Sequence, residues 1–202
     1  MKLRLARFGP MLLAVSIAVI AAPAVARSVE YLDDLAEIKA AADDQGIQGP
    51  FSDKLRPGSV RVALETPKAA DHRVIVASVY CQAYGIDNPV SILLQDLVKA
   101  AAPVEVSAPV MSLRVLSSST VLRCLGKSDL EVKCKNRVRI DAEASFTKVD
   151  GTAVKIPLSS QVEREGRVGG FCGNIARYTG IVTREAGIEL IRQAQKAFAG
   201  PT

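Results

Sequence analysis

The chain has 202 residues, with 26 lysines and arginines against 21 acidic residues, no tryptophan and a single histidine, a length that holds one domain of ordinary size with its own core. Three of the basic residues, Lys2, Arg4 and Arg7, head an N-terminal export-type segment, so that beyond it 23 cations face 21 anions and the formal charge falls from +5 to +2. That balance, without tryptophan and without basic residues interleaved with aromatics, excludes a nucleic-acid footprint.

Residues 1–26 read as a signal peptide. The basic residues precede an apolar run from Phe8 to Ala22, and Ala24-Val25-Ala26 closes it with small residues at the cleavage spacing. The mature chain is therefore expected to begin at Arg27, in the periplasm or outside the cell. The competing reading is an uncleaved tether to the inner membrane, but the apolar core is shorter than the ~20 residues of a spanning helix and contains Gly9 and Pro10. No membrane span is expected after cleavage, and arginine at position 27 leaves no cysteine for acyl anchoring.

Residues 27–47 predict an acidic helix, capped by Ser28 and stopped by Gly46, with Val29, Leu32, Leu35, Ala36 and Ile38 as its apolar stripe. Its other face carries Glu30, Asp33, Asp34, Glu37, Asp43 and Asp44. Residues 48–72, punctuated by Pro50, Pro57-Gly58 and Pro67, read as a linker-like segment with one short strand at Val60–Leu64. An α+β domain is expected over 73–199. It opens on "HRVIVASVYCQAYG", a β run apolar on both faces. In "DNPVSILLQDLVKAAAP", Asn88 is placed as helix cap, Pro89 in the first turn and Pro103 as the stop, with Val90, Leu93, Leu94, Leu97 and Ala101 buried.

From Val110 the pattern becomes a three-stranded meander. The first strand, "VMSLRVLSSSTVLRC", slips its alternation near Val115-Leu116, which predicts a bulge. In the second, Leu130, Val132, Cys134, Val138, Ile140, Ala142, Ala144 and Phe146 hold even positions, whereas Glu131, Lys133, Lys135, Arg137, Arg139, Asp141 and Glu143 hold odd ones. A two-residue loop at Asp150-Gly151 would pair Val154, Ile156 and Leu158 with polar positions. A three-residue loop, Val149-Asp150-Gly151 with glycine left-handed, sets them opposite Phe146, Ala144 and Ala142, and is the register expected. "AVKIPLSSQVERE" is the third strand, "GRVGGFCGN" a glycine-rich connection, and a last helix is expected to start at Thr183, with Ile188, Leu190, Ile191, Ala194 and Phe198 inward. The sum is an α+β fold in which helices pack on an antiparallel-rich sheet of strand, helix, meander and helix.

Four cysteines in an exported chain point to two disulfides. Cys124 and Cys134 flank the first hairpin connection and are expected to pair, which leaves Cys81 with Cys172. The gaps of 43, 10 and 38 positions and the lone histidine give no zinc spacing, and no metal or other cofactor is expected. Catalytic signals are equally thin. His72 lies in a polar stretch without a nucleophile motif and reads as a surface residue. "SFTK", Ser145 to Lys148, matches a serine–lysine pattern, but on a strand its two side chains point to opposite faces.

The remaining constellation is a ridge. Lys133, Lys135, Arg137 and Arg139 alternate along one strand face, at spacings near ~7 Å. It reads as a solvated face that discourages edge aggregation, as a site for an anionic lipid, polysaccharide or acidic partner protein, or as the seat of the acidic helix. The elements from about 72 to 198, carried by "RVIVASV", "NPVSILLQDLVKAA" and "TREAGIELIRQAQKAF", resemble the periplasmic domains of envelope-transport auxiliary proteins, such as LptE-like components and the auxiliary lipoproteins of lipid ABC transporters. The resemblance implies an envelope protein; the lipidated cysteine of that group has no counterpart here. The expectation is a non-catalytic exported binding domain, with a secreted hydrolase-type enzyme and a structural assembly factor as alternatives.

Overall fold

The computed structural model describes residues 27–29, 31–32, 34–52, 55, 57–75, 85–105, 107–125, 131–169 and 172–199; of Arg27, Glu131 and Cys172 it describes the backbone. The export segment, Cys81 and the Cys172 side chain, and with them the second disulfide, lie outside the described residues. The order is β1 (Arg27–Ser28), α1 (Leu35–Asp44), β2 (Arg61–Glu65), a 3-10 turn (Pro67–Ala70), β3 (His72–Val74), β4 (Ile86–Asn88), α2 (Val90–Ala100), β5 (Val110–Leu125), β6 (Glu131–Thr147), β7 (Ala153–Gly169) and α3 (Cys172–Ala199). A four-stranded sheet runs β2-β5-β6-β7, with β2 parallel to β5 and the rest antiparallel, and a small sheet runs β1-β4-β3.

The meander follows the alternation of its sequence. Ala142, Ala144 and Phe146 face Leu158, Ile156 and Val154, the three-residue loop closes with Lys148 N donating to Thr152 O at 2.9 Å, and Gly151 takes φ +84°. The register of β5 shifts between Val115 and Ser117, so Leu116 is the bulged residue. The even face of β6, with Cys134, Val138, Ile140, Ala142 and Ala144 buried, is covered by α3, on which α1 and α2 pack in turn. Cys124 and Cys134, directly opposite on β5 and β6, are joined by a disulfide.

The helices depart from expectation in their ends. Ser28 pairs in β1, and α1 starts at Leu35 because the carboxylate of Asp34 accepts from Ala36 N at 2.7 Å and Glu37 N at 3.2 Å. Its exit is as expected: Gly46 at φ +57° lets Gly46 N reach Asp43 O and Ile47 N reach Ala42 O, the paired bonds of a left-handed C-terminal cap. Asn88 does not cap α2; it lies in β4 with its side chain buried. The cap comes from Asp71, which accepts from Ser91 N at 2.7 Å and Ser91 Oγ at 2.9 Å.

The largest correction is α3, a helix of 28 residues that begins at Cys172 and not at Thr183. Every residue from Tyr178 to Ile188 is buried, and a helix enclosed all round shows no amphipathic period to read. Thr183 sits inside it, its hydroxyl donating back to Thr179 O at 2.8 Å.

The β7 edge of the large sheet is covered at one end. The even residues of β7 bond β6, as the Lys148–Thr152 pair shows, and the odd ones turn their backbone outward, as Arg167 N does in donating to Gln45 O at 2.7 Å. Pro157 falls on an outward position, where its missing N–H costs no ladder bond. The chain after α1 runs along this edge so closely that a Cβ on Gly166 would stand 2.8 Å from Ile47 Cγ1 and 3.0 Å from Gln45 O.

Candidate functional site

The odd residues of β6 share one face of the sheet, opposite α3. Lys133, Lys135, Arg137 and Arg139 are all exposed there, side by side. The structure adds what the strand alone did not show, a matching row of carboxylates. Lys133 Nζ lies 3.3 Å from Glu165 Oε2, Lys135 Nζ 2.6 Å from Glu163 Oε1, Arg137 Nη2 2.7 Å from Glu163 Oε2, and Arg139 Nε 2.9 Å from Asp141 Oδ1. Glu163 and Glu165 come from β7, whose register puts them opposite Arg137 and Lys135. α1 packs on α3 and its described residues do not supply the carboxylates of the ridge.

The charges respond to one another. The Glu163 carboxylate is held below the usual range by hydrogen bonds from Lys135 and then Arg137, and the same bond from Glu163 raises Lys135. At Asp141 burial pushes the carboxyl up, but hydrogen bonds from Ser159 and Arg139 outweigh it and the group sits low. These pairs lie in water and are screened by salt.

The ladder is not balanced. Arg123 of β5 stands directly across from Lys135, and no carboxylate reaches it among the described residues. With it, five cations stand on this stretch of the face, of which four pair with Glu163, Glu165 and Asp141. Like charges placed opposite each other on a sheet repel. A shallow depression of about 200 Å³, lined by Val121, Arg123, Lys135, Arg137 and Glu163, marks the spot. Arg123 was missed in the sequence because its strand shows no charge run. Glu163 and Glu165 were legible from the hairpin register itself.

His72 is not a surface residue. Its ring is half-buried, with Nδ1 3.1 Å from Ala70 O and 2.8 Å from Ser118 Oγ, and Nε2 2.7 Å from Thr120 Oγ1. Asn88 Nδ2 reaches Nε2 at 3.3 Å and donates to Thr183 Oγ1 at 3.2 Å, while Tyr31 donates its hydroxyl to Asn88 Oδ1. Because Ala70 O only accepts, the proton belongs on Nδ1, and Nε2 accepts. The ring thus ties β3, β4 and β5 together, Asn88 extends the network to α3, and both ring nitrogens are occupied. Burial, and then Asp71, push the Tyr31 hydroxyl well above its ordinary range.

Two carboxylates do converge, on a cleft of about 680 Å³ between β7, α3 and the chain at Pro50–Ser52. Glu185 is buried, takes the Ser52 amide on both oxygens at 3.0 Å, and lies 3.5 Å from Arg184 Nη1. Glu189 accepts from Gln193 Nε2 at 3.0 Å. The walls also hold Arg164 and Arg192, so this is a polar cleft and not a deep apolar pocket.

Among the described residues no His, Cys, Asp and Glu group could hold a metal ion, and no helix is long and apolar enough to cross a membrane. No family model and no curated protein matches this chain.

Proposed function

We propose that this chain is an exported, non-catalytic binding domain of the bacterial envelope, whose open sheet face contacts an anionic envelope component, a lipid headgroup or polysaccharide phosphate, or an acidic partner protein. The observation that carries the reading is the excess of cations around Arg123, Lys135 and Arg137 on a face that no described element covers. An anion bridging Arg123 and Lys135 relieves their repulsion, which gives binding a local driving force. The Cys124–Cys134 bridge lies beside these residues and supports an oxidising compartment. The export signal at 1–26, cleavage after Ala26 and a second bridge between Cys81 and Cys172 belong to the same reading.

Charge reversal at Lys135 and Arg137 is a poor test, since it would set new carboxylates against Glu163 and Glu165. Neutralisation is cleaner. In co-sedimentation with phosphatidylglycerol vesicles at low salt, the Arg123→Gln and Lys135→Gln substitutions should each weaken binding about fivefold, as expected for a cation at an anionic surface, while phosphatidylcholine vesicles bind neither form. Equal binding by the doubly substituted protein would refute the assignment of this face.

A further inference from the structure

Among the described residues, the outer edge of β7 is occupied at one end and bare in the middle. At Arg167 the chain's own Gln45 carbonyl completes the edge, and at Arg164 the guanidinium donates to Pro50 O at 3.0 Å. Past Pro50 the chain leaves the strand for α3, where Ser52 is pinned by Glu185, by Arg184 donating to its carbonyl at 3.2 Å, and by Arg192 donating to its hydroxyl at 3.1 Å. The divergence opens the 680 Å³ cleft beside Ser159, Gln161 and Val162. By the two-residue alternation, the N–H and C=O groups of Ser159 and Gln161 and the N–H of Glu163 point into it. None of these makes a backbone bond on that side among the described residues.

We infer that the edge of β7 from Ser159 to Glu163 accepts an extended segment of a partner protein as a fifth strand. The stretch spans about 13 Å, the reach of a four- to five-residue segment. Its far wall is preorganised by the bonds to Ser52, so little ordering is needed on binding. The lining of the cleft holds two arginines, Arg164 and Arg192, and two glutamates, Glu185 and Glu189, and so presents no net charge. Recognition therefore falls to the backbone ladder, and the occupant is an uncharged, β-prone segment. Pro157 ends the acceptor on one side and the Gln45 carbonyl on the other, which limits the addition to this short window and protects against open-ended edge pairing.

The test uses the full chain and an acetylated, amidated hexapeptide of alternating threonine and valine as probe. At millimolar peptide, hydrogen exchange of the Ser159, Gln161 and Glu163 amides should slow by about tenfold, and a backbone N-methylated peptide should give no protection. Gln161→Pro removes an outward N–H at a position equivalent to native Pro157, and should abolish the protection without loss of fold by circular dichroism. Gln161→Ala should retain it. Unchanged exchange with peptide overturns the inference, as does protection that rises with protein concentration alone, which would give the edge to a second copy of the chain.

Discussion

Removing the hydroxyl of Tyr31 and the amide of Asn88, singly and together, probes the buried polar cluster that joins the two sheets. Tyr31→Phe leaves the Asn88 Oδ1 acceptor without its donor, in a side chain that is 1% exposed, and should cost about 1–2 kcal/mol. Asn88→Ala strips the bonds to Thr183 and His72, strands the Tyr31 hydroxyl and opens a small cavity, for about 2–4 kcal/mol. In the double variant the stranded hydroxyl no longer exists, so the loss should fall short of the sum by about 1 kcal/mol. Urea unfolding followed by far-ultraviolet circular dichroism reads all four corners, and each kcal/mol should move Tm by about 2–4 °C for a domain of this length. Additivity within about 0.5 kcal/mol would mean that the Tyr31–Asn88 bond does not exist in solution.

Four further outcomes follow from the geometry. Replacing both Cys124 and Cys134 by alanine, with Cys81 and Cys172 left in place, should lower stability by about 3 kcal/mol from the loop closure alone, measured by urea unfolding; a loss below about 1 kcal/mol would show that the hairpin is held without it. Asp71→Ala removes the α2 cap and should cost about 1 kcal/mol, whereas Ser28→Ala, at the expected but unused cap, should be neutral in the same assay. Since the Glu163 carboxyl is lower in the folded than in the unfolded chain, its contribution is present at neutral pH and is lost as pH falls below the ordinary carboxylate range; Glu163→Gln should flatten the acid limb of a stability–pH curve. Burial raises the Tyr31 and Tyr178 hydroxyls, so their contribution is intact below about pH 10, the ordinary tyrosine value, and is lost as pH rises beyond it. Tyr31→Phe should flatten the alkaline limb of the stability–pH curve, and an unchanged slope would count against burial of that hydroxyl.

The meander was legible because a two-faced strand admits one register. The bulge at Leu116, the left-handed Gly151 and the pairing of Phe146 with Val154 all follow from keeping apolar beside apolar. What stayed hidden had lost its local signal. The middle of α3, from Tyr178 to Ile188, is enclosed on every side, so Thr179, Gly180 and Val182 carry no amphipathic period to read. β1 and β4, of two and three residues, are too short for any alternation. The cap of α2 sits twenty positions upstream of Ser91, beyond the reach of a local motif. At the site, the four cations were visible and their exposure followed, but Arg123 needed the strand beside it.

That remote cap reaches beyond the helix it starts. Eleven residues are fewer than the ~12–15 at which an isolated helix becomes marginal in water, so α2 depends on being told where to begin. The instruction is written at Asp71, next to a turn whose Ala70 carbonyl takes the Ser118 hydroxyl of β5 at 2.8 Å. The helix, the turn and the long strand should therefore open as one cooperative unit. A fragment cut at residue 73, where composition alone would draw a domain boundary, discards Asp71 together with the β2 strand that flanks β5, and should fail to hold α2 in place. The punctuated stretch before it thus supplies both the cap of α2 and a neighbour for β5.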